Sequence, residues 1–438
     1  MKRLSVSIVL VIIMLSTFFY VNRPNRHVMN ESATVRIVET EKGFEIIRNG
    51  KPFYIKGAGG KPYLKELSEA GGNTLRLYDT TNTAKILDEA QKYNIAVILD
   101  IWLPKYQNNY NYYKDKEYVK VMKEAVKKFV NQHKNHPALL MWNLGNELVY
   151  PLTLGENEFI KTFNDMIEQI HEDDPNHPVS TTVAGASRGQ TLSIHLNSPQ
   201  LDLVGYNIFK NLKEIERNQR QLSMVTNVMP YYITEWSVAG PWETENTKWS
   251  RLLELTSKEK AEVCKRKYET YIKLDEESLG SVAFYWGDKN EGTPTWFNIF
   301  DEEGRKNNVY FALKEVWTGM EIEEDAPNIS QLLLNERKDT DLQLHSPNDT
   351  LKAVLKMENP VINYTFKWEI LKEGLSFGIS SKLEAESFIL DTISKDKMLG
   401  ISFRAPTEEG TYRLMAYVYD DHQNFATANI PFFVLKKD

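Results

Sequence analysis

The sequence predicts an α/β fold, a (β/α)8 TIM barrel with a C-terminal immunoglobulin-like β-sandwich, and three observations lead to it. Eight short apolar runs alternate with amphipathic segments between residues 53 and 286, as strands and helices alternate in a barrel. The first run is not followed by a glycine-rich phosphate-binding turn, which disfavours an open doubly wound sheet. After Ala326-Pro327 the helical periodicity ends, and strand-like runs alternate with turn signals.

The first element, residues 1–27, has the layout of an export signal. Basic residues lie on both sides of an apolar run over 4–21. The run is nearly long enough to span a bilayer, and the bulky residues at its end do not form a small-residue cleavage site. We therefore expect a signal peptide or a membrane anchor. The protein would then be extracytoplasmic, either secreted or attached to a membrane through this segment.

The barrel domain is predicted over residues 33–320 and begins with a β-hairpin. Asn49-Gly50 is a residue pair that favours a two-residue type I′ turn, and strand-like runs flank it. The segment TNTAKILDEAQKYN, like those after the other runs, places its apolar residues on one helical face. The predicted barrel strands are 53–56, 74–78, 95–102, 138–144, 179–184, 201–207, 231–235 and 281–286.

The second domain is predicted over residues 326–438. Runs such as LKAVLKME, YTFKWEIL and GTYRLMAYVYD have the length and composition of strands, and turn residues separate them. This pattern favours the immunoglobulin-like sandwich. Its role stays open, because packing against the barrel and spacing it from a surface both fit.

Composition excludes some partners. The net charge is −7 and basic residues form no block, so a nucleic-acid surface is not expected. Cys264 is the single cysteine, which rules out an intrachain disulfide. The 22 Tyr, 19 Phe and 9 Trp residues fit either core packing or flat platforms for sugar rings.

Acidic, amide and basic side chains come where predicted strands end. Asn146 and Glu147 follow the fourth strand, Glu235 ends the seventh, and Arg76 lies on the second. Because the carboxyl ends of barrel strands form the active site, the two glutamates are expected to face each other across its mouth. Glycosidic cleavage needs two such carboxyls, about 5–5.5 Å apart for retention and about 6.5–9.5 Å apart for inversion.

The motifs WNLGNE, ITEW, NTLRLYD and FYWGD together resemble the clan A retaining glycoside hydrolases with (β/α)8 barrels, and most closely family 2-type TIM-barrel domain proteins. The resemblance covers nearly all of residues 50–320. It implies a hydrolase that cleaves β-glycosidic bonds of an oligo- or polysaccharide by double displacement. Glu147 would be the general acid/base and Glu235 the nucleophile. The resemblance implies a carbohydrate substrate and no metal or other cofactor.

Substrate-binding residues follow from the same resemblance. Asn146 would bond the sugar 2-hydroxyl, Arg76 would lie near Glu235, and Trp286 would form the pocket floor. Further candidates are aromatic or amide residues near the strand ends: Trp102, Tyr206, Asn207 and Trp242.

One family feature is displaced in this sequence. Strand six of the family supplies a tyrosine near the nucleophile in an Asn-x-Tyr arrangement, whereas Asn207-Ile208-Phe209 places a phenylalanine there. Tyr206, Tyr78 and Tyr232 are the candidates to replace that phenol.

Other functions are also open at this stage. A sugar that resolves the glycosyl-enzyme in place of water would make the protein a glucanosyltransferase-like transglycosylase. A barrel that binds glycan without cleaving it is the non-catalytic alternative. The motif GASRG at 185–189 matches a nucleophile elbow, but no histidine follows at a suitable distance for an esterase.

Overall fold

The computed structural model describes residues 27–41, 43–106, 112–153, 155–224, 229–358, 363–374, 379–382 and 398–436. The apolar run predicted to be a signal or anchor lies outside the described residues, so export and membrane attachment stay predictions. Across the described ranges, no helix combines the length and apolarity needed to cross a membrane.

A three-stranded antiparallel sheet precedes the barrel. It consists of β1 (Val35–Thr40), β2 (Gly43–Arg48) and β3 (Lys51–Phe53). Asn49 and Gly50 join β2 to β3 with φ angles of 52° and 75°, the left-handed pair that a type I′ turn requires. The turn is therefore where the sequence predicts it.

Eight parallel strands close into the barrel. The strands are β4 (Ile55–Gly60), β5 (Thr74–Leu77), β6 (Ala96–Ile101), β7 (Leu139–Asn146), β8 (Val179–Ala184), β9 (Leu203–Asn207), β10 (Tyr231–Trp236) and β11 (Ser278–Trp286). They pair in the order β10-β11-β4-β5-β6-β7-β8-β9. Most of their residues are buried, and apolar residues predominate in β6 and β7, as in parallel strands covered on both faces.

The first barrel strand differs from its prediction over 53–56. Phe53 still pairs with Ile46 in the antiparallel sheet, and the barrel strand begins at Ile55. It continues through Gly57 and Gly59, which pair with Thr74 and Arg76. The prediction placed this strand too early in the chain because glycines, rather than large apolar residues, form much of it.

The helices follow the strands around the chain. They are α1 (Leu64–Glu69), α2 (Thr83–Lys92), α3 (Lys116–His133), α4 (Glu158–Asp173), α5 (Arg188–Asn197), α6 (Lys213–Leu222), α7 (Ser257–Lys267) and α8 (Asn308–Thr318). Several begin at a side-chain cap: Asp115 accepts from two backbone N–H groups of α3, and Thr256 forms a capping box with Glu259. Ser187 caps α5, which gives the serine of GASRG a structural role.

The C-terminal strands form two sheets. The strands are β12 (Ile329–Leu334), β13 (Leu344–His345), β14 (Thr350–Met357), β15 (Thr365–Glu373), β16 (Ile379–Lys382), β17 (Met398–Arg404), β18 (Gly410–Tyr419) and β19 (Phe425–Val434). The sheet orders are β12-β14-β17 and β13-β19-β18-β15-β16, and the pairing is antiparallel except between β13 and β19, which are parallel. Alternate residues of β18 and β19, among them Leu414 and Ile430, share one apolar core with the sheet β12-β14-β17. The predicted barrel with a C-terminal sandwich is confirmed.

The chain forms two compact units. The first comprises the residues up to Ser68, then Gly72–Trp236 and Tyr271–Phe284; the second comprises Glu69–Gly71, Ser237–Thr270 and the residues from Tyr285 onward. The predicted domain limits, 33–320 and 326–438, stay predictions.

Candidate active site

Arg76 is the centre of a buried polar network at the carboxyl ends of the barrel strands. Its side chain on β5 is fully buried. The guanidinium forms a fork with Asp100, with 3.0 Å from Nε to Oδ1 and 2.8 Å from Nη2 to Oδ2. Nη1 donates to Glu235 Oε1 at 3.1 Å, and Nη2 donates to Asn146 Oδ1 at 2.7 Å. Through these contacts one arginine fixes side chains from β6, β7 and β10.

Asn207 on β9 continues this network to Glu147. Its Nδ2 donates to Glu147 Oε1 at 2.9 Å, and its Oδ1 accepts from Arg76 Nη1 at 3.3 Å. Thr234 Oγ1 donates to the same Oδ1 at 2.8 Å. The two glutamates are thus linked through Asn207 and Arg76. We call Arg76, Asp100, Asn146, Glu147, Asn207 and Glu235 the arginine network.

The two glutamates have different surroundings. The side chain of Glu235 is 9% exposed and paired with the buried Arg76. That of Glu147 is 30% exposed, and Oε2 lies 3.4 Å from Lys105 Nζ. The backbone of Glu147 has a φ of 51°, which a non-glycine residue adopts at an energetic cost. Glu147 adopts this conformation directly after β7, where its side chain reaches Asn207.

Tyr78 supplies a phenol beside Glu235. Burial raises the pKa of Tyr78 well above its usual value, and the Glu235 charge raises it further while accepting a hydrogen bond from the phenol. The Arg76 guanidinium carbon lies 4.7 Å from the ring centroid. Gly59 makes room for the hydroxyl, because a Cβ there would lie 2.4 Å from Tyr78 Oη.

The other candidate tyrosines lie elsewhere. The Tyr206 hydroxyl accepts from Gln219 Nε2 of α6 at 3.0 Å and lies 3.2 Å from Thr191 Oγ1 of α5. Successive side chains of a strand point to opposite faces. Because Asn207 points into the barrel, Tyr206 points into the helix layer, away from the predicted substrate position. Tyr232 contacts Ser180 at 3.2 Å within the barrel. Of these three tyrosines, Tyr78 is therefore the one that interacts with Glu235.

The predicted tryptophans lie in different environments. Trp102, just after β6, is 73% exposed, and Trp242 is 58% exposed. Trp286 is fully buried and packs against Phe300, with ring centroids 4.9 Å apart, and against Tyr310 and Trp317. Its ring therefore has core packing and no exposed face, unlike a pocket floor. The exposed rings keep surface for a ligand.

Three contributors to the site were missed or assigned less specifically from sequence. The sequence places Asp100 at a strand end, where it could bind sugar hydroxyls or cap a helix; in the structure it pairs with Arg76 and accepts from Asn143 Nδ2 at 3.0 Å. Asn143 was not identified, although the register pairs it with Asp100. The signal that could have identified Asn143 is strand alternation, because Asn143 lies two residues before Gly145 on β7 and so shares its face of the strand. Lys105 lies in a loop, where periodicity gives no signal.

Comparisons with known proteins find similarity over the barrel. Residues 73–241 match the family model described as glycosyl hydrolases family 2, TIM barrel domain. A β-galactosidase of Leuconostoc mesenteroides is 23% identical over 185 residues, which is 38% of this chain and 17% of that protein.

Solved structures resemble the fold. The β-D-glucuronidase of Dictyoglomus thermophilum is 20% identical with a TM-score of 0.52, over 66% of this chain and 54% of that chain. A GH2 β-galacturonidase of Eisenbergiella tayi, solved with galacturonate, is 16% identical with a TM-score of 0.52, over 66% and 54%.

The resemblance predicted from the motifs is confirmed at the level of the barrel. The matched region contains every member of the arginine network, and the barrel has the fold of family 2 glycosyl hydrolases. This chain spans about half the length of these two solved relatives and 17% of the β-galactosidase.

Proposed function

We propose that the protein is a retaining glycoside hydrolase that cleaves β-glycosidic bonds of an oligo- or polysaccharide. The observation that carries the proposal is the pair Glu147 and Glu235, at the ends of β7 and β10, joined through Asn207 and Arg76. A carboxyl pair at the mouth of a barrel is what double displacement requires.

Glu235 is the nucleophile. Arg76 supplies an adjacent positive charge and Tyr78 a hydrogen bond, and both favour the ionised carboxylate. The carboxylate attacks the anomeric carbon and forms a glycosyl ester, while the bond to the leaving oxygen breaks. Its low exposure limits competing hydration of the charge.

Glu147 is the general acid and then the general base. It protonates the leaving oxygen in the first step, and in the second it takes a proton from the water that attacks the glycosyl ester. The overall reaction consumes one water and restores both carboxyls. Its partly exposed position allows a leaving group and then water to reach it.

Asn146 orients the sugar. Its Oδ1 accepts from Arg76 at 2.7 Å and from Asn207 at 3.2 Å, so the network fixes which end of the amide is oxygen. Nδ2 is then the atom that donates to a sugar 2-hydroxyl, a bond that strengthens in the transition state.

The substrate class follows from the relatives' names. β-Galactosidase, β-glucuronidase and β-galacturonidase name β-linked hexoses or hexuronic acids as glycone. Digestion of a panel of such glycans, with products identified by mass, tests the proposal. Shortened products support hydrolysis, lengthened products support the transglycosylase alternative, and binding without product supports the non-catalytic barrel.

Variants of the two glutamates test the assigned roles. Glu235→Gln should abolish turnover of every substrate. Glu147→Ala should slow substrates with poor leaving groups about 10²–10⁴-fold and spare the first step with an activated aryl glycoside. Exposed Glu172→Gln on α4 is the matched control and should keep wild-type rates. Full activity in Glu235→Gln would disprove the nucleophile assignment.

A further inference from the structure

A second polar cluster lies at the opposite, amino-terminal ends of the barrel strands. Asp202 precedes β9, His171 lies in the last turn of α4, and His27 lies ahead of β1. Among the described residues, these three form the group of histidine and carboxylate side chains whose ligand atoms all lie within 4.8 Å of one another. None belongs to the arginine network.

The carboxylate of Asp202 is shared between the two imidazoles. His27 Nδ1 lies 2.8 Å from Oδ1, and His171 Nε2 lies 2.9 Å from Oδ2. The backbone N–H of Val179 donates to Oδ2 at 2.7 Å. The imidazole rings are stacked with centroids 3.7 Å apart. Three atoms that can bind a metal ion, two imidazole nitrogens and a carboxylate oxygen, therefore lie within 4.8 Å of one another.

Hydrogen bonds orient the carboxylate of Asp202, whose side chain is 3% exposed. The Val179 N–H fixes its orientation, as outer hydrogen bonds do around bound metals.

We propose that His27, His171 and Asp202 bind one divalent transition metal ion, with Zn²⁺ the best match. Two imidazole nitrogens and one carboxylate oxygen are a zinc donor set, and water takes the fourth position. The site is independent of the glycosidase activity.

Metal binding needs a limited rearrangement. Ligands about 2.0–2.2 Å from a tetrahedral zinc are on the order of 3.3 Å apart, close to the spacing of the present nitrogen and oxygen pairs. The parallel rings must open so that both nitrogen lone pairs point to one ion. His27 can turn most freely, since its side chain is 24% exposed, against 10% for His171 and 3% for Asp202.

The ion would connect three separate parts of the chain. His27 belongs to the segment that enters the barrel domain, whereas His171 and Asp202 come from α4 and the start of β9. Because the bound nitrogens must lose their protons, affinity should fall as pH decreases. Zinc would then stabilise the folded chain by mass action.

Zinc titration of the full-length chain after chelator treatment tests this proposal. Calorimetry and elemental analysis should give one Zn²⁺ per chain, and X-ray absorption should show two imidazole ligands. His27→Gln and His171→Gln should each weaken binding at least about tenfold. Zinc should raise the unfolding temperature of the wild type more than that of either variant.

A control separates this site from ordinary surface histidines. His136 pairs with Asp88 at 3.2 Å elsewhere in the barrel, so His136→Gln should keep wild-type zinc affinity. Circular dichroism of each variant checks folding, and His27→Gln, at a side chain that is 24% exposed, carries the test even where His171→Gln fails to fold. Absence of zinc binding by the wild type, or wild-type zinc affinity in both His27→Gln and His171→Gln, would overturn the proposal.

Discussion

Arg76 is a buried cation whose charge is met by two carboxylates, Asp100 and Glu235, at 2.8 Å and 3.1 Å. An unpaired buried charge would cost several kcal/mol, so the paired geometry is needed for folding as well as for the site. Amide oxygens of Asn146 and Asn207 satisfy further guanidinium N–H groups. The same bonds that stabilise the barrel mouth therefore fix the orientation of the proposed nucleophile.

Tyr78 should act as a positioning residue for Glu235. Tyr78→Phe removes a hydrogen bond to a charged group, worth about 1.5–3 kcal/mol, and should lower kcat about 10–150-fold with little change in KM. The acidic limb of the pH–rate profile should move to higher pH, because the lost donor favoured the ionised carboxylate. Steady-state kinetics across pH measures both effects.

A second change tests whether position 209 can supply the phenol. Phe209 and Tyr78 both pack edge-on against Phe284, with ring centroids 5.6 Å and 6.3 Å from it. Phe209→Tyr in the Tyr78→Phe background should therefore restore part of the rate and of the pH profile. Tyr232→Phe removes a phenol bonded to Ser180 and should leave the acidic limb in place. An unchanged profile in Tyr78→Phe would refute the positioning role.

The turn between β2 and β3 shows how a local sequence sets an element. Gly50 has a φ of 75°, and a Cβ there would meet no atom within 4 Å. Gly50→Ala should therefore destabilise the protein through backbone strain alone, by about 1–2 kcal/mol. Urea unfolding measures the change, and Asn49→Gly, which keeps the left-handed turn accessible, is the control. Stabilisation by Gly50→Ala would contradict a strained turn.

At the level of elements, the sequence predicted what periodicity encodes. Apolar runs identified the barrel strands, and strand ends identified Glu147 and Glu235 as candidates. The first strand was misplaced because Gly57 and Gly59 carry no apolar signal. Phenol placement depends on distances across the barrel, so one sequence could not choose between Tyr78 and Tyr206. The His27 cluster joins residues 175 positions apart, which no local pattern reveals.

In the second compact unit, a buried carboxylate joins distant parts of the chain. Glu254 accepts from Lys260 of α7 at 2.5 Å, from Thr293 at 2.5 Å, from Thr295 at 2.7 Å and from Asn429 of β19 at 2.7 Å. Burial raises the pKa of Glu254, but the Lys260 charge and these hydrogen bonds outweigh it and lower the pKa. The sandwich and the segment that precedes it thus share one charged core.

This core should make the second unit sensitive to acid. Because the pKa of Glu254 is lower in the folded state, its contribution is present above the unfolded value of about 4.5 and is lost as pH falls through the folded value. Chemical unfolding measured from pH 7 downward should show stability decreasing below about pH 4.5. A Glu254→Gln variant should lose less of its stability over that range.

Lys260→Met tests the pairing itself. Removing the cation leaves a buried carboxylate uncompensated, which should cost about 3–5 kcal/mol at pH 7. The deficit should shrink in acid, because protonation of Glu254 removes the unpaired charge. Lys258→Met is the matched control: that side chain is 26% exposed and pairs with Glu358, so its loss should cost about 1 kcal/mol or less. Equal costs for the two lysines, or a deficit for Lys260→Met that does not change with pH, would show that burial of the ion pair does not stabilise this unit.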